Sequence, residues 1–162
     1  MRRRTITIAV LAALLLSGLG LLRVTADEAE RAVPRFAALP IVIDPQGQPL
    51  AAWQFELRAR HGEMKIVGVE NGDPPAFAAA PWFDRDAVER GRADRIIVAH
   101  LSKRPADQLP QGPTRVATVH VMIERDAGIE FDLTLVAAGN PAGERIDADI
   151  QIATPEPQGT DE

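Results

Sequence analysis

Cysteine is absent from the 162 residues, which excludes a disulfide framework, a thiolate metal site and a cysteine nucleophile. Stability must come from packing alone. Tyrosine is absent as well, and the 4% aromatic share is supplied by Phe36, Trp53, Phe55, Phe77, Trp82, Phe83 and Phe131. Aliphatic side chains must therefore fill most of an interior, and a 46% hydrophobic content is enough for one core. Ser17 and Ser102 are the only serines, so a serine hydrolase would rest on Ser102, which has no G-x-S-x-G around it.

Histidine is almost as scarce. His61, His100 and His120 never form an HxH or HExxH spacing, so zinc has no local support and they are expected as ordinary surface or sheet-face residues. Asp147 and Asp149 share one strand face, yet calcium needs about six to eight oxygens, and this pair reads as a solvated side. Carboxylates are plentiful, but none forms a distinctive acid–base pair. No catalytic residue, metal or cofactor is expected, and the chain does not read as an enzyme.

What is present begins with MRRRTITIAVLAALLLSGLGLLRVTA. Arg2, Arg3 and Arg4 precede an apolar run from Ile6 to Leu22 and then the small-residue stretch Val24, Thr25 and Ala26, the three-part form of an export signal cleaved after Ala26. A retained membrane anchor competes with that reading, although a spanning helix needs about 20 apolar residues. Both place the rest of the chain outside the cytoplasm: periplasmic, secreted or anchored, with the membrane involved only through this segment. Residues 1–26 hold four of the 18 basic residues and none of the 23 acidic ones, so without them the net charge moves from −5 to −9. That excess of acid argues against a nucleic-acid partner, which needs a concentrated basic surface.

Residues 27–40, DEAERAVPRFAALP, have mixed charge and two prolines and read as a linker. Residues 41–153 read as the domain, and 154–162, ending TPEPQGTDE, as a disordered tail. The dominant period in the domain is two. Trp53, Phe55 and Leu57 alternate with Gln54, Glu56 and Arg58, His61 and Gly62 signal a turn, and Met64 to Glu70 follows as the next strand. DPPAFAAAPWFDRDAVERGRAD is the longest irregular stretch, with a helical turn expected from Asp84 to Glu89. RIIVAHLS, TRVATVHVMIE, Ile129 to Leu135 and Ile146 to Ile152 complete the strands, with a hairpin expected at Asp126, Ala127 and Gly128. Short strands, many turns and almost no helix imply an all-β antiparallel sandwich of two sheets, jelly-roll or immunoglobulin-like, preceded by the hydrophobic export helix.

The order LAAWQFELR, KIVGVENG, a proline-rich loop with a phenylalanine, RIIVAHLS, and LPQGPTRVATVHVMI resembles cohesin-type domains, β-sandwiches related to certain carbohydrate-binding modules. The resemblance implies a noncatalytic module contacting a protein partner across one sheet face, in the best-known cohesins a dockerin, a small calcium-loaded helical domain. The alternative it implies is polysaccharide binding.

Trp53 shares its phase with Phe55 and Leu57 and is expected in the core, because a stacking role would need the opposite phase. Phe77, Trp82 and Phe83 lie in the irregular stretch, where no strand period assigns them inward. They are the candidate binding residues, either as a platform for sugar or partner or as a seal on one end of the sandwich.

Overall fold

The computed structural model describes residues 33–154, with the side chains of 125–127 left out. The expected export segment, the first part of the linker and most of the tail lie outside the described residues. Five strands form the architecture: β1 (Arg35–Asp44), β2 (Ala52–Asn71), β3 (Arg95–Leu101), β4 (Thr114–Gly139) and β5 (Asp149–Ile152). All neighbours pair antiparallel, in the order β3-β2-β4-β1-β5. One helical turn, α1 (Arg85–Glu89), starts where the Asp84 carboxylate accepts from the Ala87 amide, which satisfies a free N–H of its first turn. Among the described residues no helix is long and apolar enough to cross a membrane. The described residues form an all-β fold, as expected.

Two expected turns are not turns. His61–Gly62 and Asp126–Gly128 do not reverse the chain, and the four strands expected around them are the two long strands β2 and β4, paired from Ala52↔Gly139 to Asn71↔Ala117. Gly62 and Gly128 do take the positive φ that their sequence signals, at 80° and 69°, but each serves a bulge. The register slips between Ala59 and His61 and again before Met64, with His61 opposite Glu130 and Glu63 opposite Arg125. Extra residues on one strand bend the ribbon there and leave its pairing intact on both sides.

The halves of this ribbon have different outer neighbours. The first half of β2 pairs with β3, from Ala52↔Leu101 to Arg58↔Arg95. The first half of β4 pairs with β1. A second correction concerns the linker: β1 starts at Arg35, inside the stretch read as connecting sequence, because Leu39, Ile41 and Ile43 alternate inward and supply core side chains. Pro34 before the strand and Pro40 within it disguised that alternation. Pro40 is tolerated within β1 because its nitrogen, which carries no hydrogen, lies on the side away from β4.

Alternation on each strand fills one cluster. Trp53, Phe55 and Leu57 from β2 join Ile96 and Val98 from β3, Val116, Val119 and Val121 from β4, and Leu39, Ile41 and Ile43 from β1. Each fully buried aliphatic or phenylalanine side chain contributes about 1.5–3 kcal/mol relative to exposure, so this phase carries the fold. Gly72 is fixed by space instead: a Cβ there would lie 2.6 Å from the Arg115 carbonyl oxygen and 2.7 Å from that of Val116.

Candidate functional site

β3 decides where the two tryptophans lie. Ile96 and Val98 are buried, while Ile97 and Leu101, on the other phase, are 41% and 64% exposed. His100 continues the inner phase opposite Trp53. Trp53 is 2% exposed and stacks on Phe55 (ring centroids 5.5 Å apart) and on His100 (5.9 Å), with the Phe77 ring edge-on to both Trp53 and His100. This is the core position its alternation predicts.

Ala99 belongs to the outer phase, and its free edge is taken by Trp82. The Trp82 amide donates to the Ala99 carbonyl at 2.8 Å and the Ala99 amide donates back at 2.9 Å. Residues opposed in this way place their side chains on the same face, so Trp82 stands on the outside with Ile97 and Leu101 and is 81% exposed. Its neighbours fall on the other phase: Pro81 is buried, and Phe83 is half-buried against the core with the Arg85 guanidinium 4.9 Å from its ring centroid.

The three candidate binding residues are therefore not brought together. Phe77 is fully buried, since a 3-10 turn at Pro75–Phe77 carries its ring under Trp53 and His100, and it is withdrawn as a binding residue. Phe83 supports the loop from within, while Trp82 alone presents its ring. The expectation that Trp82 seals one end of a core also fails, because pairing with Ala99 turns the ring outward.

Beside Trp82 lies a shallow depression of about 620 Å³, lined by Gln54, Asp84, Asp94, Arg95, Ile97 and Trp82 itself. Charged pairs border it along the same face of β2. Arg95 grips Glu56 through two hydrogen bonds, at 2.7 and 2.5 Å, and Arg58 reaches Asp132 at 2.9 and 2.6 Å. The Arg95 hydrogen bond holds the Glu56 carboxyl below its ordinary range, and Glu56 in turn raises the Arg95 guanidinium. The outer face thus divides into an apolar stretch at Trp82, Ile97 and Leu101 and a zone of paired charge at Glu56, Arg58, Arg95 and Asp132. Sequence periodicity marked Gln54, Glu56 and Arg58 as exposed, but it could not find Ile97 and Leu101, because the apolar run RIIVAHLS has no polar phase to mark its outer side.

The histidines stay separate. His100 is inside β3's face, His61 is 3.9 Å from Glu130 at the bulged joint, and His120 stands on the outer phase of β4. Glu70 Oε1 lies 3.1 Å from His120 Nε2, and no hydrogen bond joins them. Among the described residues no three His, Asp or Glu side chains are grouped to hold a metal ion. No family model matches the chain, and a search of curated proteins likewise finds no match.

Proposed function

We propose that the chain is an exported, noncatalytic β-sandwich module of cohesin type that binds a protein through the outer face of β3, β2 and β4, with Trp82 at the centre of the contact. The observation that carries this reading is the exposed indole continuous with Ile97 and Leu101 and bordered by the Glu56–Arg95 and Arg58–Asp132 pairs. An aromatic anchor in an apolar centre with a charged, mutually satisfied rim is the anatomy of a protein-binding patch. Its depression is open and shallow, which suits a partner surface better than an enclosed small molecule.

The sandwich reading is supported by the β2–β4 ribbon. Twenty residues of β2 would extend to about 65 Å if straight, yet both halves bury side chains in one cluster, Trp53, Phe55 and Leu57 from the first and, after the bulges switch the alternation, Met64 and Ile66 from the second. Bending at Gly62 and Gly128 lets the half bearing β3 fold over the half bearing β1, giving two layers from one pairing network. The order of segments supports the cohesin resemblance and, with it, a partner such as a small helical domain.

A polysaccharide is the second reading, favoured by one exposed tryptophan beside Gln54, Asp84 and Asp94. The inward placement of Phe77 and Phe83 leaves that platform a single ring. The wild-type chain and Trp82→Ala, used as baits in cell-envelope extract and on insoluble polysaccharides, separate the two. A stoichiometric protein held by the wild type and lost with Trp82→Ala is expected. Retention on polysaccharide that disappears with Trp82→Ala would establish the second reading, and unchanged protein capture by Trp82→Ala would sink the first.

A further inference from the structure

β1 is covered unevenly. Along β4 it is paired from Arg35↔Ile123 to Ile43↔Thr114, whereas β5 covers only Ile41 to Asp44 and closes with the Ala153 amide donating to the Pro40 carbonyl at 2.9 Å. Among the described residues, Phe36 to Leu39 have a strand on one side alone. The Pro40 carbonyl faces the β5 side, and β1 keeps an unbroken register with β4 from Arg35 to Ile41. By the two-residue period, Ala38 and Phe36 aim their backbone groups to that open side too.

Prolines define what this edge can accept. Pro34 and Pro40 fall in the same phase and carry no N–H, so Phe36 and Ala38 are the only residues of that phase between them, and both donate and accept.

We propose that this edge pairs with the same edge of a second copy, β1 against β1, antiparallel about a two-fold axis at Ala37. Phe36 then faces Ala38 of the second copy and Ala38 faces its Phe36, and each opposed pair exchanges both backbone hydrogen bonds. Sliding either copy by two residues brings Pro34 or Pro40 against an amide and loses bonds, so the prolines select one register. The Phe36 side chain, on a residue 72% exposed, meets a small partner in Ala38. Beside it is a depression of about 500 Å³ on the outer face, lined by Phe36, Ala38, Val67, Gly68, Glu70 and His120, where the smallness of Ala38 and Gly68 leaves room for the incoming ring. Five residues of strand and one phenylalanine on each side make a contact of the small, reversible class. An aromatic residue exposed on an otherwise open strand edge is thereby given a partner.

The absence of cysteine makes the test direct. In the full chain, Ala37→Cys sets two thiols across the axis in a pair whose Cβ atoms lie about 4.5–5.5 Å apart, close enough for a disulfide after slight adjustment. Mild oxidation is expected to give a covalent dimer from Ala37→Cys and none from Gln111→Cys, an exposed loop position. Adding Ala38→Pro, which removes an amide that β4 does not use, is expected to lower the dimer yield roughly tenfold without changing the melting temperature. Phe36→Ala, a change at an exposed side chain, is expected to lower it severalfold and serves should Ala38→Pro disturb the fold. An Ala37→Cys chain whose thiol reacts with maleimide but forms no dimer overturns the proposal. So does an equal yield from Gln111→Cys, or a yield that neither Ala38→Pro nor Phe36→Ala reduces.

Discussion

Trp53 and Trp82 sit against consecutive residues of one strand and have opposite fates. Trp53 lies opposite His100 on the inner face of β3, closed in by Phe55 and Phe77, while Trp82 lies opposite Ala99 on the outer face with its ring in solvent. One peptide unit of β3 thus separates an aromatic packed in the core from an aromatic exposed to solvent. Residue type cannot tell them apart, and only the phase of the strand does.

The comparison can be broken most forcefully at the inner tryptophan. Trp53→Ala is expected to cost about 3–5 kcal/mol of unfolding free energy in urea titration, because it removes an indole packed between three rings and leaves a cavity. A loss below about 1 kcal/mol would mean that the ring is not the anchor its burial indicates. Gly72→Ala comes next. Its Cβ would press on the carbonyl oxygens of Arg115 and Val116, and a backbone that must move to make room costs about 1–3 kcal/mol; an unchanged melting temperature would contradict that close approach.

A smaller effect sharpens the inner side. Burial holds the His100 imidazole below its ordinary value of 6.5, opposed in part by a hydrogen bond with the Ala79 backbone. The unfolded chain therefore takes up the proton first. Stability is full above pH 6.5 and declines as the pH falls from 6.5 toward the lower folded value, and His100→Phe is expected to flatten that part of the pH–stability curve. A wild-type curve equally flat there would show that His100 is not shielded. Smallest of all is the outer tryptophan, since Trp82→Ala is expected to move unfolding free energy by no more than about 0.5 kcal/mol.

Much of the inner phase was legible in the chain. The alternation of Trp53, Phe55 and Leu57, the β-branched run of β3 and the helical turn expected from Asp84 to Glu89 all appear where the sequence puts them. Gly62 and Gly128 were legible in conformation and misleading in consequence, because a positive φ serves a hairpin and a bulge equally well and the choice depends on pairing to a distant strand. β1 was hidden by Pro34 and Pro40, whose local preference for loops yields to the tertiary burial of Leu39, Ile41 and Ile43. The candidate site was less legible still. Phe77, Trp82 and Phe83 lie where the chain has no period, and the hydrogen bonds between Trp82 and Ala99, which turn Trp82 outward and Phe83 inward, join the loop to a strand that follows it.

Because the chain has only two tryptophans, acrylamide quenching of Trp53→Phe and Trp82→Phe, each with and without the protein captured from the envelope extract, tests the division of labour most directly. The account predicts that Trp82, observed alone in Trp53→Phe, is strongly quenched in the free protein and shielded when the partner is bound, while Trp53, observed alone in Trp82→Phe, is shielded throughout. A Trp82 already shielded in the free protein, or one quenched equally with the partner bound, would contradict it.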